Sequence, residues 1–191
     1  MNSIFTRSLR WILTLTAGTM LFNFGCGDDK NPAGPGEEEL ITTVILTLTE
    51  TGTTNQVTAQ FEDLDGDGGN APVIGTLTLG AGKTYTGTIQ LLNASVNPAE
   101  DITEEVEAES DAHQFFFTAE GGIAGRVVVT ITDLDVNNLP IGLEYTVTVS
   151  AGAAASGTLN VVLGHFDEVA KDGVTRSPET DVDIDFPVNI Q

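Results

Sequence analysis

The sequence predicts an all-β protein, an antiparallel Ig-like β-sandwich of about nine strands with one short acidic helix. From residue 41 onward, β-branched and other apolar residues alternate with polar ones. Gly, Asn and Asp interrupt these runs at intervals typical of short strands. Hydrophobic residues make up 40% of the chain, which is enough to form a core. We therefore assign residues 41–191 to a single sandwich domain.

The predicted strands share an apolar residue at every second position, the period of a strand with one buried face. They cover residues 41–49, 56–63, 74–79, 86–92, 114–119, 126–133, 143–149, 158–163 and 181–190. Pro187 lies within the last of these runs and has no N–H group to donate to a neighbour. This strand is therefore predicted to lie at the edge of a sheet.

One segment, residues 100–111, has the pattern of a short helix instead. Asp101 can cap its first turn, and Glu104 follows three residues later, which is the spacing of a capping box. Ile102 and Val106 form a narrow apolar stripe at i and i+4. The remaining positions are rich in Glu. We expect this helix to cover one end of the sandwich with its acidic face in solvent.

The N-terminal segment resembles a lipoprotein signal peptide. Arg7 and Arg10 precede an apolar stretch at residues 11–22, which is too short to span a bilayer as a helix. Gly25 then precedes Cys26, the only cysteine in the chain. Asn23 departs from the usual pattern, which has a branched aliphatic residue there. The resemblance implies that residues 1–25 are removed and that Cys26 is lipidated.

Residues 26–40 are predicted to form a flexible acidic tether behind the lipid. Pro, Gly and like charges in this segment bury little surface. The acidic pair after Cys26 resembles the signals that place some lipoproteins on the outer face of the outer membrane. We expect an exported outer membrane lipoprotein, and both a surface-exposed and a periplasm-facing position remain open.

The charge of the chain limits its partners. Asp and Glu number 28 against 7 Lys and Arg, a formal net charge of -21. Such a field repels nucleic acid phosphates, so we predict no nucleic acid partner. It attracts cations and basic protein surfaces, although the same charge also serves solubility. The expected partners are the membrane, through the N-terminal lipid, and another protein of the cell envelope.

The sharpest candidate site is an Asp-rich loop after the second predicted strand. Asp63, Asp65 and Asp67 stand at i, i+2 and i+4, and Gly66 and Gly68 allow the backbone to curl around a cation. The spacing predicts a Ca²⁺ site between strands. An EF-hand is excluded because Ile74 occupies the twelfth position, where that loop needs an acid. A polar turn without metal is the alternative.

A weaker candidate repeats this pattern about seventy residues later. Asp133, Asp135 and Asn137 follow another predicted strand, with less charge and less glycine. The two segments resemble each other over a strand, a loop and a Pro-containing return. A duplicated unit and the general likeness of sandwich turns explain this equally well.

The remaining residues give no catalytic signature. His113 and His165, the two histidines, fall at the ends of predicted strands, and a transition-metal site needs more nitrogen or sulfur ligands than two. No nucleophile elbow or phosphate-binding loop is present in the sequence. We therefore predict that the protein is not an enzyme and assign no catalytic residue. A hydrolase built on an unrecognised pair of carboxylates stays open.

Three segments carry a resemblance to a known group of proteins. They are residues 103–107 (TEEVE), 111–126 (DAHQFFFTAEGGIAGR) and 179–186 (ETDVDIDF). These are similar to small uncharacterised Bacteroidota lipoproteins, some of which are labelled type 1 periplasmic-binding-fold proteins. That label implies strands and helices in alternation around parallel sheets. The succession of strands in this sequence favours the sandwich instead.

Two functions follow as hypotheses. The first is a non-catalytic binding or accessory module of the cell envelope, held at the membrane by its lipid. The second is a calcium-dependent binding module, with glycans as one candidate ligand class, that uses the Asp63–Asp67 loop. No cofactor other than Ca²⁺ is expected.

Overall fold

A computed structural model describes residues 39–66 and 69–191. The predicted signal peptide, Cys26, nearly all of the tether and Asp67 lie outside the described residues. The described chain confirms the all-β prediction, with two sheets packed as a sandwich. Its elements in chain order are β1 (Thr43–Glu50), β2 (Gln56–Glu62), β3 (Val73–Ile74), β4 (Leu77–Leu79), β5 (Thr84–Asn93), β6 (Glu100–Asp101), α1 (Thr103–Ala108), β7 (His113–Gly121), β8 (Val127–Ile131), β9 (Glu144–Val149), β10 (Ala155–His165) and β11 (Glu179–Ile190).

The larger sheet has the strand order β3-β2-β1-β5-β9-β8, with β6 paired to β5. The smaller sheet has the order β4-β11-β10-β7. Neighbouring strands run antiparallel throughout, except that β4 lies parallel to β11. The smaller sheet carries the residues that form the candidate site described below.

The core lies between the sheets and is made by alternate residues of the strands. In β1, Val44, Leu46 and Leu48 are buried, as the period of two predicts. Gly87 of β5 has a specific role in this core. A Cβ atom there would lie 2.4 Å from the Tyr145 ring of β9, so the absence of a side chain lets that ring lie across β5.

One predicted strand is divided between the two sheets. Residues 74–79 were expected to form a single run, but β3 pairs with β2 of the larger sheet and β4 pairs with β11 of the smaller one. Between them the Gly75 N–H donates to the Gln60 carbonyl, with N and O 2.7 Å apart. The backbone thus crosses from one sheet to the other within a few residues. Periodicity alone carries no signal for such a crossing.

The predicted helix is shorter than expected and begins differently. Helix α1 covers Thr103–Ala108, and its N-cap residue is Ile102, not Asp101. Asp101 still contributes, because its carboxylate accepts a hydrogen bond from the Thr103 N–H at 3.0 Å. Asp101 itself pairs with Leu92 in the β5–β6 ladder, which keeps it outside the helix. The apolar stripe of Ile102 and Val106 is buried, as predicted.

The edge position predicted from Pro187 is only partly correct. Strand β11 pairs with β10 along its length, and β4 covers its other side at Val188–Ile190. Pro187 lies immediately before this covered part, where the described chain places no strand on the β4 side. A residue without an N–H group therefore removes no ladder hydrogen bond on that side. No helix of the described residues is long and apolar enough to cross a membrane.

Candidate functional site

Four ionisable side chains meet inside the protein at one end of the smaller sheet. We call this group the interior cluster; it consists of Glu39, His113, His165 and Asp181. Their side chains are between 0% and 3% exposed. One nitrogen or oxygen atom of each lies within 4.8 Å of the corresponding atoms of the others. Four ionisable groups buried this close together need to pair with one another or to bind an ion, because an unpaired buried charge is strongly destabilising.

Antiparallel pairing brings the two histidines together. His113 is the first residue of β7 and His165 is the last residue of β10, and the register makes them direct cross-strand partners. Both side chains are on the same face as Phe115 and Leu163, which belong to the core. Their rings stack with centroids 4.5 Å apart and planes inclined at 28°. The pair therefore results from register and not from closeness in sequence.

A β-bulge turns Asp181 toward the histidines. Leu163 pairs with Val182 and Gly164 pairs with Thr180, so Asp181 is an extra residue without a cross-strand partner. Regular alternation would place Asp181 on the same outer face as the exposed Asp183 and Asp185. The bulge breaks the alternation, and the Asp181 side chain is fully buried.

Glu39 comes from the segment that precedes β1. Its Oε1 lies 3.0 Å from His113 Nε2, and its Oε2 lies 3.8 Å from His165 Nδ1. Asp181 faces the same two nitrogens, with Oδ2 3.6 Å from His113 Nε2 and Oδ1 3.3 Å from His165 Nδ1. The two carboxylates and the two imidazoles thus surround a common centre.

Several atoms of the interior cluster lack a hydrogen bond. Among the described residues, no aligned partner exists for Glu39 Oε2, His113 Nε2, His165 Nε2 and both carboxylate oxygens of Asp181. A buried polar atom without a partner is destabilising by about 1–3 kcal/mol. These atoms would be expected to have a partner, which makes the cluster a candidate ligand site.

The outward nitrogens of the two rings face oxygen acceptors. His113 Nδ1 lies 3.0 Å from the Glu109 carbonyl oxygen, to which its N–H donates. His165 Nε2 lies 3.1 Å from Asp167 Oδ1. In the tautomer with protons on these outward nitrogens, His113 Nε2 and His165 Nδ1 present lone pairs to the carboxylates.

Burial and neighbouring charges shift the pKa values of three members of the interior cluster. Burial, and then the neighbouring Glu39 charge, raise the pKa of Asp181 to about 6. Burial also opposes the charged forms of Glu39 and His113. The Glu39 carboxylate nevertheless raises the pKa of His113, and His113 in turn lowers the pKa of Glu39. The group can therefore exist either as a set of shared protons or as a set of ligands around a cation.

The Asp63–Asp67 loop presents a different geometry. The Asp63 carboxylate accepts the Gly66 N–H at 2.9 Å. The Asp65 carboxylate accepts the Asn70 N–H at 2.9 Å and the Asn70 side-chain amide at 2.6 Å. These bonds describe a polar turn. The oxygens remain exposed to solvent, so Ca²⁺ at this loop stays a prediction.

In the second loop the carboxylates of Asp133 and Asp135 accept hydrogen bonds from backbone N–H groups. Asp133 accepts hydrogen bonds from Gly142 N–H at 2.9 Å and Glu144 N–H at 3.1 Å. Asp135 accepts from Asn137 N–H and Leu139 N–H.

A buried ammonium group completes the second loop. Lys171 Nζ lies 2.9 Å from Asp135 Oδ2, and both side chains are almost fully buried. This ammonium occupies the place that a cation would take beside Asp135. The Asp133 and Asp135 carboxylates thus have partners within the protein, and Ca²⁺ at Asp133, Asp135 and Asn137 stays a prediction.

An open groove of about 500 Å³ lies beside the interior cluster. Its lining consists of residues 40–42 before β1, Val44 of β1, the end of β2 with the loop that follows it, Ser95 and residues 181–184 of β11. Apolar residues include Leu40, Phe61 and Leu64, of which Leu40 and Leu64 are 61% and 50% exposed. Asp63 and Asp65 belong to the same lining, and Asp181 joins the groove to the cluster.

Sequence reasoning missed the interior cluster. The histidines were correctly placed at strand ends, but their pairing across β7 and β10 was not anticipated. One signal was available: each histidine lies two residues from an acid, Asp111 or Asp167. Nothing in the sequence indicated that Asp181 would be set apart from Asp183 and Asp185.

Comparisons with known proteins leave the family open. No protein-family model matches the chain, and no curated protein matches it. One solved structure is similar, the crystal structure of the S-layer protein SbsC domains 4 and 5. It is 14% identical, with 76% of this chain and 75% of that chain covered, and the TM-score is 0.28. A score this low carries no argument about fold or function.

Proposed function

We propose that this chain is an exported, lipid-anchored protein of the outer membrane whose β-sandwich is a non-catalytic binding or accessory module of the cell envelope. The observation that carries the proposal is the order of segments along the chain. A basic and apolar segment leads to Cys26, an acidic Pro- and Gly-rich stretch follows, and the sandwich begins with β1 at Thr43. A lipid on Cys26 would hold the sandwich near the membrane without a spanning helix.

The groove supports a binding role for the sandwich. It combines exposed apolar side chains, Leu40 and Leu64, with the carboxylates of Asp63 and Asp65. Exposed apolar surface next to charged groups is typical of protein interaction sites. The strongly acidic chain complements a basic partner. The occupant that fits is a basic segment of another envelope protein that also carries apolar residues.

Site-specific crosslinking in intact cells tests this binding role. A photo-reactive residue in place of Leu64 is expected to give a discrete protein adduct. The same residue in place of Val136, which is 86% exposed on another loop, is the matched control. Combining the probe at Leu64 with Asp63→Lys and Asp65→Lys is expected to reduce the adduct at least about tenfold, because like charges would then face the basic partner. Identical adducts from both probe positions would contradict the proposal.

Calcium-dependent binding is the second candidate. It is favoured by the position of Asp63 and Asp65 in the lining of the groove, where a cation could bridge the protein and an anionic or hydroxyl-bearing ligand such as a glycan. Thermal unfolding of the full chain with Ca²⁺, with Mg²⁺ and with chelator tests this. A Ca²⁺ site stabilises by about 2.7 kcal/mol at a hundredfold excess over Kd. The shift should disappear in Asp65→Asn, and equal small shifts with both cations would mean diffuse screening only.

A further inference from the structure

We propose that Glu39, His113, His165 and Asp181 bind one divalent first-row transition-metal ion, with Zn²⁺ as the ion that best fits their donor set. This site is separate from the groove function proposed above and from the Asp63–Asp67 loop. Two imidazole nitrogens and two carboxylate oxygens form an N₂O₂ set of ligand types that Zn²⁺ binds, and the two carboxylates supply the ligands that the two histidines alone lack. Calcium is disfavoured because it selects oxygen ligands in larger number.

The spacing of the donor atoms fits a single ion. Zn²⁺ lies about 2.0–2.2 Å from nitrogen and oxygen ligands, so two ligands at the tetrahedral angle are about 3.3–3.5 Å apart. The four nitrogen–oxygen distances within the interior cluster are 3.0, 3.3, 3.6 and 3.8 Å. These distances involve both oxygens of each carboxylate, and one donor atom from each of the four residues lies within 4.8 Å of the others. The donor atoms must therefore draw closer together around an ion at the common centre.

The surrounding groups orient the lone pairs toward that centre. The Glu109 carbonyl accepts a hydrogen bond from His113 Nδ1–H, and in that tautomer Nε2 presents its lone pair to the carboxylates. The Asp167 carboxylate lies beside His165 Nε2 and favours the tautomer with the proton on Nε2. In that tautomer the inward Nδ1 carries a lone pair. A carbonyl or carboxylate behind each imidazole is the usual support of a metal-bound histidine. Without an ion, shared protons must separate these lone pairs inside the cluster.

The charge of the site balances when the ion is divalent. Two carboxylates carry two negative charges, two neutral imidazoles carry none, and one M²⁺ makes the buried group neutral. The ion would also supply a partner to the unpaired atoms Glu39 Oε2 and the Asp181 carboxylate oxygens. Asp181 also belongs to the lining of the neighbouring groove.

One consequence concerns the N-terminal segment. Glu39 precedes β1, whereas His113, His165 and Asp181 belong to β7, β10 and β11 of the smaller sheet. An ion bound by all four would fasten the segment before β1 to these strands. The site would then fix the boundary between the predicted tether and the sandwich.

Metal content and affinity of the full-length protein test the proposal. The protein is purified without a polyhistidine tag, stripped with chelator, dialysed against Zn²⁺ and analysed by elemental mass spectrometry. One Zn²⁺ per chain is expected, retained in a large excess of Ca²⁺ and Mg²⁺. Replacement by Co²⁺ is expected to give the intense visible absorption of four-coordinate cobalt, which reports on the ligands independently of stoichiometry.

Variants assign the binding to these residues. His113→Gln and His165→Gln are expected to weaken Zn²⁺ binding more than about 100-fold, and Asp167→Asn by about 10–100-fold as a positioning residue. Asp183→Asn is the matched control for Asp167→Asn, since it makes the same change on an exposed side chain outside the interior cluster. Asp65→Asn should leave Zn²⁺ binding unchanged and so separates this site from the calcium loop.

The proposal fails if stripped wild-type protein takes up less than one Zn²⁺ per chain, or if the bound ion is displaced by Ca²⁺. It also fails if folded His165→Gln binds as tightly as wild type. Should the histidine variants not fold, the Co²⁺ spectrum of wild type and the Asp167→Asn affinity still decide the question. Failure here would leave the crosslinking test of the groove unaffected.

Discussion

At the scale of single residues, buried polar atoms without hydrogen-bond partners identify the candidate ligand site. The histidines and acids of the interior cluster are buried with several atoms unpaired. Asp135 and Lys171 are buried to the same degree, but each of their charges has partners. The Asp135–Lys171 pair therefore needs no ligand, whereas the interior cluster needs a ligand or shared protons.

The two tyrosines of the core offer a test of this argument. The Tyr145 hydroxyl is buried without a hydrogen-bond partner among the described residues. The Tyr145→Phe change is therefore expected to stabilise the protein by about 1 kcal/mol, because it removes a desolvated polar atom and keeps the ring. Chemical denaturation of the two proteins measures the difference in the free energy of unfolding.

Tyr85→Phe is the matched control and should act in the opposite direction. The Tyr85 hydroxyl accepts a hydrogen bond from the Gly80 N–H at 2.8 Å, and the ring is also buried. Losing this acceptor is expected to destabilise the protein by about 1 kcal/mol. Equal effects of the two changes would show that burial of the hydroxyl, and not its pairing, determines the outcome.

At the scale of elements, departures from regular strands place the functional groups. The bulge in β11 sets Asp181 apart from the outward Asp183 and Asp185. The crossing after β3 moves the chain from one sheet to the other. Both features occupy only a few residues, yet each changes which face or which sheet a side chain belongs to.

Gly87 shows how tightly the elements of the larger sheet are packed. A Cβ atom at this position would lie 2.4 Å from the Tyr145 ring and 2.7 Å from Leu48. Gly87→Ala is therefore expected to destabilise the protein by about 1–3 kcal/mol through overpacking. Gly164→Ala in β10 is the control, because its Cβ would meet its nearest atoms at 3.4 Å and should change stability by less than about 1 kcal/mol. The same denaturation experiment measures both, and an equal cost at the two sites would contradict the packing argument.

At the scale of the whole molecule, the prediction concerns attachment to the membrane. Cys26→Ser is expected to abolish incorporation of a labelled fatty acid and to move the protein from the membrane fraction to the soluble one, because the acyl chains supply the apolar area of the anchor. Gly34→Ser in the tether is the control and should change neither result. A Cys26→Ser protein that stays in the membrane after an alkaline wash would indicate that residues 11–22 are retained as the anchor.

The sequence by itself determined the all-β class, the approximate places of the strands and the buried stripe of the helix. These properties depend on local periodicity, which a single strand or turn of helix displays by itself. The sequence also determined the acidic charge and predicted the export segment, residues 1–25, that precedes Cys26.

Only the tertiary structure decided which residues form the interior cluster. His113 and His165 lie 52 positions apart in the chain and meet because β7 and β10 pair in one register. Asp181 joins them because the ladder with β10 skips one residue, and Glu39 because the chain before β1 returns to the smaller sheet. The pattern within one strand specifies which of its faces is buried. It does not say which distant strand that strand pairs with, because this depends on how the sheets pack and how long loops close.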